Sequence, residues 1–372
     1  MKKQIITLII VLLIIIIGLI FLVPNKAEKP IKIGVVTALS GDFAVAGESM
    51  KNSILMAIDD MELSEKVDII FEDNRSCVIA DTVSAIQKLV NVDKVDAIIG
   101  PVCTSETLAI KDFIEDKKII AITPTATGRD VIDSNTKFLF RTIASDSEKS
   151  KAIANLIKKS NYRKVALLCD ISNDAFIQQR QDFKDIIRGS NVEIILEESF
   201  KMKDTDFRSQ LTKVKGSSAD VVVVEAFPNE TGLLMKQAKE LGINLPFMST
   251  ESSVGTQDLI TTGGNAVNGL IFPFAKTPTN KEHKEFESAY KEKFGKEPFA
   301  FASYESYDAT ILLLKAIEKS NREPEDIRKK LYETGQNYYG ASGLINFTEN
   351  GDVQKPMLIK IVKDGEFVLY EE

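Results

Sequence analysis

The sequence predicts an α/β protein of two doubly wound parallel-sheet lobes joined by a hinge and preceded by one N-terminal transmembrane helix. Three observations predict it. Short continuous apolar runs alternate along the chain with segments of helical spacing, the pattern of parallel strands covered on both faces. The opening "IKIGVVTALSGDFAVAGESMKNSILMAI" is echoed by "RKVALLCDISNDAFIQQRQDFKDII". Both run strand, polar turn with Ser and Asp, aromatic residue, amphipathic helix, as two lobes of one topology would. Ahead of them lies an uncharged apolar run from Ile5 to Val23.

Residues 1–24 form that first element. A run of about 20 apolar residues spans a bilayer. Lys2 and Lys3 hold its start inside and leave the rest outside. A cleaved signal would have a shorter apolar region and a small-residue cleavage site, for which Asn25-Lys26-Ala27 is a poor candidate. No cysteine precedes Cys77, so cleavage before a lipid-modified cysteine is closed as well. The segment therefore reads as an uncleaved anchor, followed by a polar linker at 25–30.

In "IKIGVV" we read a buried strand, in "GESMKNSILMAIDDM" a helix, and in "KVDIIFED" the next strand. Ile79, Val83, Ile86 and Val90 then share one helical face. Strands recur at "VDAIIG", "KIIAIT", "KVALLCD", "VEIILEE", "ADVVVVEA", "LPFMST" and "NGLIFPFA". At "RTIASDSE", Arg141 to Glu148, the alternation breaks, which places a hinge near 141–147. The tail from "EHKEFESAYKEKFG" to "YDATILLLKAIEKS" is helical and returns to the first lobe. The expected lobes are 31–143 with 273–351, and 144–272 with 352–372.

Composition narrows the function. The 372 residues, 44% of them apolar, suffice for two domains with sizeable cores. A formal charge of −7, with no clustered basic stripe, excludes a nucleic-acid surface. Of the three cysteines, Cys169 ends an apolar strand and reads as a buried thiol, leaving Cys77 and Cys103 available to each other in an external compartment.

In open parallel sheets ligands lie beyond the carboxyl ends of the strands. The informative loops there are "TALSGDFAVAG", "GPVCTSET", "ITPTATGRD" and "FMSTESSVG". A nucleophile at Cys103, Thr104 or Ser105 would want a base, and the one histidine, His283, stands in a charged helix that reads as solvated. No phosphate loop, dinucleotide fingerprint, nucleophile elbow or metal-ligand spacing is present, so neither an enzyme nor a cofactor or metal is indicated. As a ligand grip, Thr104 and Ser105 would meet an anion at a helix N-terminus, whereas the plainer reading makes either of them an N-cap. Thr125 and Thr127 belong to a second loop, and Glu251 follows a strand of the other lobe. Donors for an anion on one lobe and a carboxylate for a cation on the other describe a zwitterion clamp.

From Ile31 to Val368 the chain resembles the type I periplasmic binding proteins, specifically the Leu/Ile/Val-binding family of ABC amino-acid importers. The stretches carrying the resemblance, beside the opening one, are "AIIGPVCTSETLA", "AITPTATGRDV", "FRTIASDSE", "FPNETGLLMKQAKELGINLPFMSTES", "SYDATILLLKAI" and "GLINFTENGDV". The resemblance implies an amino acid, branched-chain or otherwise apolar, bound between the lobes and passed to a permease and its ATPase. It implies that Thr104 holds the ligand carboxylate next to Cys103 and Ser105. Thr125, Ala126 and Thr127 would line the second loop, and Glu251 would pair with the α-ammonium. It also implies a Cys77 to Cys103 disulfide. Phe227 stands where the family often has tyrosine, and Ala46 where an aromatic residue is common, with Phe43 or Phe176 able to fill that space. A ligand-sensing module of the same fold, working with a separate signalling partner, is the alternative.

Overall fold

The computed structural model describes residues 29–276, 278–300 and 302–371; the run read as an anchor lies outside them. Its first sheet opens with β1 (Ile31–Thr37), buried at every residue but Lys32 because helices cover both of its faces. Helix α1 (Ala44–Asp60) follows, then β2 (Val67–Asp73), α2 (Ile79–Lys88), β3 (Ala97–Ile99), α3 (Thr104–Lys117), β4 (Ile120–Thr123) and β5 (Leu139–Arg141). The strands lie in the order β2-β1-β3-β4-β5, all parallel. Helix α1 crosses so close to the end of β1 that a Cβ on Gly47 would stand 1.7 Å from the Ala38 carbonyl oxygen, and only glycine fits there. On α2, Ile86 is buried as its spacing predicts, but Ile79 is exposed because it sits in the first turn at the sheet rim.

The second sheet begins after α4 (Asp146–Lys159), with β6 (Lys164–Asp170), α5 (Asp174–Ile187), β7 (Glu193–Phe200), α6 (Arg208–Gly216), β8 (Val221–Glu225), α7 (Pro228–Glu240), β9 (Phe247–Ser249), α8 (Gln257–Gly263) and β10 (Ile271–Ala275). Strands β7-β6-β8-β9-β10 are parallel and repeat the order of the first sheet, with β6 in the place of β1. The internal echo is therefore a topological repeat.

The chain then returns. Helices α9 (Lys281–Phe294), α10 (Ser303–Glu318) and α11 (Pro324–Thr334) precede a short hairpin of β11 (Tyr338–Gly340) and β12 (Gly343–Ile345). Residues Ala309, Leu312, Leu313, Ile317 and Leu331 pack into the core of the first sheet beside Ile33, Ile98 and Ile122. Each fully buried Ile or Leu of this kind contributes about 1.5–3 kcal/mol. Strands β13 (Met357–Lys363) and β14 (Glu366–Leu369) close the second sheet antiparallel to β10. That sheet is thus mixed where an all-parallel one was expected. A turn at Asp364 and Gly365, both at positive φ, makes the final reversal.

His283 departs from its expected place on a solvated face. It is buried, with Nδ1 2.7 Å from the Ala341 carbonyl and its ring stacked on Tyr304 at 4.7 Å. Among the described residues no helix is long and apolar enough to cross a membrane.

Candidate functional site

The loop after β3 is built from its cap outward. Cys103, in extended conformation, is the N-cap of α3, and its amide donates to Glu106 Oε2 at 3.0 Å. Thr104 is therefore the first helical residue and not the cap. A disulfide joins Cys103 to Cys77, tying the loop after β2 to the start of α3. Closing a loop of 26 residues' separation contributes about 3.5 kcal/mol in the chain-entropy picture. Beneath it, the fully buried Glu106 accepts bonds from Asn74 and Thr82, while burial pushes its pKa up. Cys77, Cys103 and Glu106 are the one grouping of metal-ligand type among the described residues, and its two sulfurs are spent in the disulfide.

Thr104 is buried, and its Oγ1 accepts the Gly128 amide at 3.0 Å. A Cβ on Gly128 would meet Thr104 Cγ2 at 2.3 Å and Gln178 Oε1 at 2.7 Å, so glycine permits this approach. Ser105 is half-buried in the same helical turn. The loop after β4 is laced to its neighbour: Thr125 Oγ1 donates to the Val102 carbonyl at 2.7 Å, and the Ala126 amide to Thr123 Oγ1 at 3.1 Å. Thr127 Oγ1 donates to Asp146 Oδ2 at 2.7 Å. Behind it the buried Arg141 forks onto Asp352, 2.5 Å on both arms, and donates to the Thr127 and Gly128 carbonyls at 3.2 and 2.8 Å.

On the second sheet Glu251 follows β9 and is buried. Its Oε1 accepts the Ser253 amide at 2.7 Å, its Oε2 accepts Gln179 Nε2 at 3.0 Å, and Lys149 Nζ lies 3.3 and 3.4 Å from the two oxygens. Lys149 also pairs with Asp146 Oδ1 at 2.8 Å. Burial opposes the charge on Lys149, yet Asp146 and Glu251 hold its pKa above the ordinary lysine value. Burial likewise works against Glu251 ionising, and Lys149 together with the Ser253 amide holds it below the ordinary carboxylate range.

Thr250 bridges the side chains of Gln179, at 3.2 Å, and Glu225, at 3.4 Å. A continuous polar chain thus runs from Asp352 through Arg141, Thr127, Asp146, Lys149, Glu251, Gln179 and Thr250 to Glu225. Phe176 and Phe227 meet edge to face at 4.9 Å. The two sheets touch where the Asp130 amide donates to Gln178 Oε1 at 3.1 Å and Arg129 pairs with Asp182 at 2.6 Å.

Thr127 and Glu251 are therefore joined through residues that sequence reasoning passed over. Asp146 lies in the stretch read as a hinge, and Lys149 follows one residue beyond that stretch. Their i, i+3 spacing in the first turn of α4 was the available signal. Glu225 was visible as a lone carboxylate ending "VVVVE". Burial pushes its pKa well above the ordinary range, incompletely opposed by Cys169, Arg180 and Thr250, and its Oε2 has no partner among the described residues. The folded state thus holds a proton that the unfolded chain releases above the ordinary carboxylate pKa. The associated stability is full below that pKa and is lost as pH rises toward the folded value. Glu225→Gln removes this loss: its thermal midpoint exceeds that of the wild type at about pH 8, and the gap closes toward about pH 4. Parallel pH profiles for the two proteins would reject this account.

A family model described as periplasmic binding protein matches residues 30–366. The chain belongs to the periplasmic binding protein family. This periplasmic binding protein is 26% identical over 358 residues to the leucine-, isoleucine-, valine-, threonine- and alanine-binding protein of Pseudomonas aeruginosa, covering 93% of this chain and 91% of that one. A leucine-binding protein of Thermotoga maritima superposes with a TM-score of 0.79 at 29% identity, over 92% of this chain and 98% of its own. The substrate-binding protein of a branched-chain amino acid transporter from Streptococcus pneumoniae, solved with isoleucine, gives 0.75 at 25% identity, over 92% and 100%. The matched family and these relatives are all described as binding proteins.

Proposed function

We propose that this protein is the extracytoplasmic substrate-binding component of an ABC importer, tethered by residues 1–24, and that it binds a branched-chain or other apolar amino acid between two lobes for delivery to the permease. The observation that carries the reading is Glu251, a buried carboxylate held ionised after β9 and linked to the Thr127 loop of the other sheet. Its charge suits an ammonium in a site from which water is excluded. Thr104 and Ser105, with the free amides at the start of α3, suit the ligand carboxylate. Thr125, Ala126 and Thr127 add hydroxyl and main-chain groups, and the Phe176 and Phe227 rings form an apolar wall for the side chain. Contacts to both lobes give a ligand its differential affinity for the closed form.

Thermal denaturation of the full chain in detergent, with each proteinogenic amino acid added, tests this. Leucine, isoleucine or valine raises the midpoint by an amount growing as RT ln(1 + [L]/Kd). The absence of a shift with every amino acid would sink the ligand assignment. Loss of uptake of the same amino acid in cells lacking the protein tests delivery.

A further inference from the structure

Glu251, the residue assigned to the ligand ammonium, is already supplied with donors by the chain itself. The Ser253 amide and Lys149 share Oε1, and Gln179 and Lys149 share Oε2. These contacts match the roughly four lone-pair positions that a carboxylate offers. An incoming ammonium must therefore take the place of one of them. The Lys149 contacts, at 3.3 and 3.4 Å, are the longest of the set, whereas Lys149 holds Asp146 at 2.8 Å. Lys149 can thus leave Glu251 and remain paired. The balance of charge points the same way. Asp146 and Glu251 share the single Lys149 ammonium, so the buried trio carries one net negative charge that a ligand ammonium would neutralise.

We infer that Lys149 is a resident competitor for Glu251: it occupies the ammonium position in the ligand-free protein, moves onto Asp146 alone when an amino acid binds, and so sets how far the site prefers a ligand with an α-ammonium to one without. Resting on the amino-acid reading above, this widens the substrate class to apolar α-keto and α-hydroxy acids. Such a ligand leaves the pair of Lys149 and Glu251 intact and needs only the carboxylate grip and the apolar wall. Lys149 acts here through Glu251, as a positioning residue that determines specificity.

Calorimetric titration of the full chain with leucine and with its α-keto acid tests the inference in the wild type, Lys149→Met and Lys149→Arg. In the wild type leucine is preferred by no more than about tenfold, because the ammonium gains one charged contact and displaces another. Lys149→Met widens the preference to about a hundredfold, through tighter leucine binding with the keto acid unimproved. Lys149→Arg keeps the wild-type ratio. An unchanged ratio in Lys149→Met overturns the inference and leaves the amino-acid reading standing. Should Lys149→Met not fold, the wild type alone still decides, since a leucine preference beyond about a thousandfold is incompatible with a resident competitor. Failure of the wild type to bind any amino acid overturns the functional reading and this inference with it.

Discussion

Arg141→Met lowers the stability of the fold by about 3–5 kcal/mol, the effect of removing one partner from a buried ion pair. The guanidinium is fully buried and uses three nitrogens at once: Nε and Nη2 on the two Asp352 oxygens, and Nη1 on the carbonyls of Thr127 and Gly128. Met fills much of the volume but donates to none of these acceptors. Asp352 keeps the Val353 amide at 2.7 Å and is 23% exposed, so water relieves part of the loss and the lower end of the range is expected. Arg141→Lys restores charge without the planar fork and recovers only part of the stability. Urea unfolding reads the change as a shift of midpoint at constant slope. A loss under about 1 kcal/mol would place Arg141 among exposed pairs, against its burial. Because Nη1 holds the carbonyls of Thr127 and of Gly128, whose amide donates to Thr104, leucine affinity falls as well.

Glu251→Gln lowers leucine affinity on the order of a hundredfold, as truncating a buried charged partner does. The substitution leaves the shape of the side chain and its contact with the Ser253 amide, while Lys149 retains Asp146, so the protein still folds. An ammonium entering the site then meets an amide oxygen in place of a carboxylate and is left with a desolvated charge. The α-keto acid carries no such charge and is little affected, so the order of preference inverts. Titration of the two ligands against the variant measures this, and unchanged leucine affinity would remove Glu251 from the site.

Much of the fold was legible because parallel strands covered on both faces are written as unbroken apolar runs; "KVALLCD" and "ADVVVVEA" are β6 and β8 with few residues to spare. Strand β13 was missed for the converse reason. Its residues are mostly half-buried, so "MLIKIVK" lacks a run's contrast, although the Asp364-Gly365 pair marked the turn beyond it. His283 was misplaced because its charged neighbours describe the exposed side of α9, and local composition is silent about Tyr304 and Ala341 on the other. In the site, strand-end positions drew attention to Thr104, Thr127 and Glu251 and suggested donors for an anion and a carboxylate for a cation, and the resemblance then assigned these to the two ends of an amino acid. The pairing of Lys149 with Glu251, 102 residues apart, has no local signature.

The discontinuity of the first sheet's core has a consequence for biosynthesis. Strands β1 to β5 and helices α1 to α3 are complete once Arg141 has been made, yet the rest of their apolar cover, α10, α11 and residues Phe347 and Val353, is translated after the whole parallel part of the second sheet. At about 5–20 residues per second the wait is on the order of ten to forty seconds. During it the incompletely covered strands Ile31–Thr37, Ala97–Ile99 and Ile120–Thr123 would be a target for holdase chaperones. A truncation that ends after β10 would leave that exposure permanent, turning a folding intermediate into a substrate for quality-control proteases.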